Sequence, residues 1–272
     1  MKPAIGRMSW RAWPVLVCMG CLTPGGAQQA LSPAEENTGA NRSIARVITG
    51  HYAYSTLSGA RPRGTEEFRL TVFRDGSRQI MMWLDLFAKD AQFTSGVSSD
   101  ARGGPREAYV HYWNQGAFKG SAWIRVDGPR LQLHSRGPAG EVSQQLDVPE
   151  QFSLGTHPIS GDGWHFWYVD QTAGSGTSSL GMLEASADTA SPVTIALRAL
   201  PFARLGEENV TTPAGSFHTV HYRFNGANDL WVMATDHILV KSESVQSDRS
   251  YVLTQLSTQS VCEPAAGCAA KN

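Results

Sequence analysis

The sequence predicts a mainly β protein, a curved antiparallel meander with few or short helices. Three observations point there. Apolar-alternating runs are separated by Gly-bearing turn signals at intervals of about 8–12 residues, the spacing of antiparallel sheet rather than of βαβ units. No stretch beyond residue 27 combines a 3.6-residue apolar period with helix caps. Most of the eight tryptophans fall inside the apolar runs, as residues of a pleated, half-buried surface do.

The elements follow in order. Residues 28–44 are polar, carry Pro and Gly and show no period, so they read as a flexible lead-in. A β domain is expected over residues 45–258. It starts with a β-rich run through Thr56 containing Val47, Tyr52 and Tyr54. Residues 67–74 alternate Phe68, Leu70 and Val72 against Arg69, Thr71 and Phe73. Asp75-Gly76 then predicts a two-residue hairpin into the apolar run 79–87, which holds Met81, Met82, Trp83 and Leu84. Four further strands are separated by Asn114-Gln115-Gly116, Asp127-Gly128-Pro129 and Gly137-Pro138-Ala139-Gly140. After Gly161-Asp162-Gly163, the run 164–169 (WHFWYV) predicts a dense aromatic strand. Residues 174–179 read as a loop, 180–187 as a short helix, and 193–200 as strand again.

Residues 206–256 complete the sheet. Pro213 fixes φ and lacks an N–H, and Gly215 permits φ > 0, so Thr212-Pro213-Ala214-Gly215 is a turn between strands. In the returning strand, His218, Val220, Tyr222 and Phe224 share one face and Phe217, Thr219, His221 and Arg223 the other. The first set is the more apolar and is expected to line a concave core. The pattern Gly206-x-Glu208-x-Val210-x-Thr212-Pro213-Ala214-Gly215-x-Phe217-x-Thr219, followed by Leu230-Trp231-Val232 and Leu239-Val240-Lys241, resembles the bacterial envelope proteins of domain-of-unknown-function family 3108. Ile238 stands where that pattern has proline. The resemblance implies a sheet curled into an incomplete barrel, similar to the lipoprotein carriers LolA and LolB. Its motifs are turns and core positions, and it carries no catalytic residues across.

Residues 1–27 read as an export signal. Lys2, Arg7 and Arg11 precede a short apolar stretch over 12–22, and Pro24-Gly25-Gly26-Ala27 offers small residues for cleavage. The apolar stretch is shorter than the ~20 residues of a spanning helix. An alternative is lipoprotein processing at Cys21, which follows Gly20. Residues 1–27 contain three of the 23 basic residues and none of the 24 acidic ones, so the remainder has a formal charge of −4. A mildly acidic chain without a basic stripe is not a nucleic-acid binder. A periplasmic location follows, with no transmembrane segment expected beyond the signal. In that oxidising compartment Cys262 and Cys268, in the tail 259–272, are expected to form a disulfide closing a short ring. Such a ring is worth roughly 2 kcal/mol.

No residue set stands out as catalytic, and neither a cofactor nor a metal site is expected. His218 and His221 point to opposite faces of a strand, which excludes them as a metal pair. Asp162 and His165 are an acid–base candidate, although Asp162 beside Gly163 also reads as a turn residue. Asp236-His237 reads as a turn in which the carboxylate bonds its own backbone. The remaining candidates are aromatic: Trp83, Trp113, Trp164, Trp167, Tyr222, Phe224 and Trp231 are expected to line a concave face, as core or as a pocket for an apolar or lipid-like ligand. The leading expectation is therefore a non-enzymatic envelope protein. The alternatives are a periplasmic hydrolase using a His–Asp pair, and a protein-interaction module without a small-molecule ligand.

Overall fold

The structure is a computed structural model and describes residues 43–168, 174–185 and 190–261. The fold is mainly β, and the described residues form a single 15-stranded sheet. Its first half is β1 (Ile44–Ser55), β2 (Pro62–Phe73), β3 (Arg78–Leu86), β4 (Ala91–Ser99), β5 (Pro105–Asn114), β6 (Ala117–Asp127), β7 (Arg130–Gly137) and β8 (Gly140–Asp147). The second half is β9 (Ser153–Gly155), β10 (Ser175–Glu184), β11 (Thr194–Thr212), β12 (Gly215–Phe224), β13 (Asn228–Val232), β14 (Leu239–Ser244) and β15 (Arg249–Ser260). All ladders are antiparallel except the short parallel pair β9–β10.

The sheet order runs from β8 down to β1, crosses to β15, and descends to β9. The sheet is thus open, and its two free edges, β8 and β9, are consecutive in the chain. Laid flat, fifteen strands would place those edges about 65–70 Å apart. The link 148–152 can span only about 20 Å. The sheet must curl, and it does. Near the gap the Ser135 hydroxyl donates to the Val193 carbonyl at 2.6 Å, and the Ile195 amide donates to Gln144 Oε1 at 2.9 Å. Side-chain bonds stand there in place of a ladder, which gives the incomplete barrel expected from the sequence.

Most turns behave as read. Gln115 and Gly116 both take positive φ (53° and 67°) between the paired Asn114 and Ala117, as a type I′ hairpin requires. Gly137-Pro138-Ala139-Gly140 and Thr212-Pro213-Ala214-Gly215 make equivalent two-residue loops, Pro-Ala at the tip with the closing Gly at φ 105° and 137°. The β2–β3 loop differs. Asp75 Oδ1 accepts from the Ser77 amide and hydroxyl, only Gly76 has positive φ, and the loop is longer than two residues.

Three segments depart from the sequence reading. Residues 175–184 are one strand, β10, where a loop over 174–179 and a helix over 180–187 were expected, because they lie between β9 and β11 and pair with both; residues 186 and 187 lie outside the described residues. Strand β11 is continuous through Leu200 to Gly206, with a register shift between Arg204 and Gly206. Residues 164–168 of the aromatic run are not a strand, and Val169 lies outside the described residues. Ile159–Phe166 form a 3₁₀ helix that crosses the inside of the curl, buried at every residue except Asp162. An apolar run buried all round has no polar alternation, so periodicity cannot separate it from a core strand. Phe166 stacks on Tyr222 at 4.1 Å and meets Phe202 and Phe224 edge-on. Gly163 permits the close passage: a Cβ there would lie 1.9 Å from the His237 carbonyl oxygen.

Candidate functional site

The 3₁₀ helix is anchored from a distance. Its first residues follow Pro158, and no local side chain caps them. Instead the carboxylate of Glu66, on β2, reaches across the interior. Glu66 Oε2 accepts from the Ile159 amide at 2.8 Å and Oε1 from the Ser160 amide at 2.9 Å. The Tyr54 hydroxyl donates to the same carboxylate. Burial drives the Glu66 pKa up from 4.5 to about 7, because these hydrogen bonds only partly offset the loss of water. Burial and the nearby Glu66 also push Tyr52 and Tyr54 well above 10. Tyr52 donates to the Leu239 carbonyl at 2.5 Å, tying β1 to β14 through the same interior.

Asp162 and His165 are indeed adjacent, and a hydroxyl joins them. His165 Nδ1 lies 2.9 Å from Ser153 Oγ, and Nε2 lies 3.3 Å from Asp162 Oδ1. Serine, imidazole and carboxylate in a row are the components of nucleophilic hydrolysis. Here Ser153 and His165 are only 5 % and 6 % exposed, and the Ser178 hydroxyl bonds the His165 carbonyl at 2.8 Å. In this packing the row closes the interior polar groups upon themselves.

A second polar cluster lies where the helix meets the β13–β14 turn. Asp236 and His237 both adopt left-handed backbone, φ 61° and 52°. Asp236 does not bond its own backbone as expected. Its buried carboxylate takes Arg46 Nη2 at 2.6 Å and Arg78 Nε at 3.4 Å. Arg78 also lies 4.5 Å over the Trp167 ring, against which His237 packs at 4.4 Å. Burial and the Arg78 charge lower the His237 pKa to about 4, with Asp236 opposing. Gly103 leaves room for Trp167, whose ring would lie 2.1 Å from a Cβ at that position.

The aromatic candidates divide between the two faces. Trp164, Tyr222 and Phe224 are buried inside, and Trp167 packs against Trp164 at the helix end. Trp231 pairs with His221 on the outer face, stacks on it at 4.2 Å, and donates to Glu208 at 2.7 Å. Trp83 and Trp113 are on the outer face as well, 43 % and 45 % exposed, and Trp123 joins them at 51 %. Strand parity explains this: Phe68, Leu70, Met82 and Leu84 face inward, so Trp83 and Asp85 face outward. Two shallow grooves cross this outer face. One, of about 280 Å³, lies between Trp83 and Trp113 over Gln92 and Thr94. The other, of about 320 Å³, includes Tyr109, Trp123 and His134. Sequence reading missed Glu66, Ser153, Gln92 and Thr94. Of the outer pair, Gln92 stands in register between Asp85 and Trp113, and Thr94 between Trp83 and His111.

Among the described residues, no three His, Cys, Asp or Glu side chains converge as a metal-binding set. Among the same residues no helix is long and apolar enough to cross a membrane. Cys262 and Cys268 lie outside the described residues, as do the signal and Cys21.

No protein-family model matches the chain, the expected family 3108 included, and no curated protein matches it. Solved structures give distant similarity. A DUF1089 family protein from Pseudomonas aeruginosa is 12 % identical over 64 % of this chain and 87 % of its own, with a TM-score of 0.38. A provisionally assigned lipoprotein from Parabacteroides distasonis is 9 % identical over 79 % of this chain and 96 % of its own, at 0.30. A provisionally assigned exported protein with a YmcC-like fold, from Bacteroides fragilis, is 11 % identical over 79 % and 97 %, at 0.28.

Proposed function

We propose that this chain is an exported, non-enzymatic binding protein of the bacterial envelope that recognises its ligand on the outer face of β3–β8. One observation carries the reading: the interior is occupied by the chain's own 3₁₀ helix, while three tryptophans stand half-exposed over grooves on the outside. Export rests on the basic, apolar and small-residue succession of residues 1–27.

A lipid-like ligand on the concave face would have to displace the helix. Re-exposing Leu154, Ile159, Trp164 and Phe166 costs roughly 6–12 kcal/mol at 1.5–3 kcal/mol each. That is as large as the whole binding energy of a micromolar ligand, about 8 kcal/mol, which falls within the range. In the Ser153–His165–Asp162 row the hydroxyl and the imidazole are buried and only the Asp162 carboxylate is part-exposed, so the nucleophile offers no approach for a substrate carbonyl in this packing.

The test is co-sedimentation of the mature protein with isolated envelopes, wild type against Trp83→Ala/Trp113→Ala. Retention that the double variant loses supports the outer face. Equal retention of both, or stoichiometric lipid found by native mass spectrometry, overturns it in favour of another face or the concave pocket. Intact mass of the exported protein distinguishes cleavage after Ala27 from acylation at Cys21.

A further inference from the structure

Resting on that reading, we propose that the outer face of β3–β8 is a glycan-binding face that takes an uncharged oligosaccharide across the strands. The register of the ladders puts Trp83, Thr94, His111, Ser121, Arg136 and Glu141 in one transverse row. Five interstrand steps make that row about 24 Å long. Most of it is polar, and aromatic rings stand at its margins: Trp113 beside His111 on one side, Trp123 beside Ser121 on the other.

A pyranose ring has the complementary chemistry. Its faces carry weakly positive C–H groups, which stack on the negative face of an indole. Its edges carry hydroxyls, which need donors and acceptors at the ring's rim. Trp83 and Trp113 share a groove with Asp85, Gln92 and Thr94, and so supply both kinds of contact at one place. The second groove repeats the arrangement with Trp123, whose indole N–H is held by Glu107, and His134, whose Nδ1 lies 2.9 Å from Ser143 Oγ. Tyr109 lies flat along the floor because residue 96 is glycine; a Cβ there would lie 2.6 Å from its ring.

The other ligand classes fit less well. A protein partner with an apolar interface needs contiguous apolar surface, and here polar side chains separate the tryptophans. A nucleic acid needs unpaired cations. Arg136 is already 3.4 Å from Glu141, and Asp85 and Glu107 add negative charge. An acyl chain needs a deep apolar cleft, and these grooves are shallow and mixed in polarity.

The experiment uses mature protein with soluble hexasaccharides of β-1,4-linked glucose and of β-1,4-linked N-acetylglucosamine, read by tryptophan fluorescence and calorimetry. Saturable binding of either is expected, weakened about tenfold or more by Trp83→Ala or Trp113→Ala, the scale of a lost tryptophan anchor. Trp231→Phe, on the same sheet but away from the row, is expected to change nothing. The hexasaccharide that binds should also compete the protein off isolated envelopes. Absence of binding to both hexasaccharides, or binding indifferent to Trp83 and Trp113, overturns the glycan assignment. Tryptophan-dependent envelope retention that no sugar competes and that protease treatment of the envelopes abolishes overturns it too, and leaves the outer-face binding function standing. Envelope retention that is equal in wild type and Trp83→Ala/Trp113→Ala overturns both.

Discussion

Replacing Glu66 with Gln tests whether the helix inside the sheet is held by a carboxylate at an energetic cost. The glutamine is isosteric; its carbonyl can accept from the Ile159 or Ser160 amide, and its NH₂ can donate to Tyr54. The folded pKa of about 7 lies above the ordinary 4.5. The folded state therefore holds the proton more tightly than the unfolded chain does, and Glu66 contributes stability below pH 4.5 that is lost as pH rises through 7. A difference of about 2.5 pH units corresponds to about 3 kcal/mol. Urea unfolding of wild type and Glu66→Gln from pH 4 to 8 should give similar midpoints at the acid end. At pH 8 the variant should be the more stable, by up to about 3 kcal/mol. His237 tilts the other way, since its pKa of about 4 removes stability as pH falls through 6.5. It contributes equally to both proteins, so the difference between their profiles isolates Glu66. A difference that does not vary with pH, or a variant less stable at pH 8 than wild type, would refute the reasoning.

Three other outcomes are expected. His237→Asn keeps a residue that tolerates left-handed backbone and should flatten the acid limb of the stability profile between pH 6.5 and 4, by about 3 kcal/mol in all. Gly163→Ala drives a Cβ against the His237 carbonyl and should cost about 3 kcal/mol or more in thermal or urea unfolding; a loss below 1 kcal/mol would show the helix is free to shift. Cys262 and Cys268 should resist alkylation in protein isolated from the envelope until a reductant is added, as read by intact mass.

The hairpin grammar was legible because its signals are local. Gln115-Gly116 and the two Pro-Ala tips each fix a turn from a few residues, whatever surrounds them. The 3₁₀ helix was not legible, for a physical reason. Its cap is Glu66, 93 residues away, and its aromatic residues are buried on all sides, so neither capping nor periodicity marks it. The tryptophans were half legible. In Ile80-Met81-Met82-Trp83-Leu84 every residue is apolar, and only the flanking polar Gln79 and Asp85, of the same parity as Trp83, betray the outward phase. Tyr222 and Phe224 carried alternation of their own, and the inner face expected for them is where they lie.

The pairing of β1 with β15 has a further consequence, for the order of folding. Ile48 stands opposite Thr258, and the Val261 amide donates to the Ala45 carbonyl at 2.8 Å, so the first strand made waits for the last. Hairpins can form as the chain emerges, but joining the two halves closes a loop of nearly the whole domain, the slowest kind of contact to make. Until then β1 and the β14 side of the missing strand both present bare ladder edges, which invite pairing with other chains. A chain cut short before residue 249 would leave both edges open permanently. Such a fragment should form intermolecular sheet even though most of its hairpins are intact.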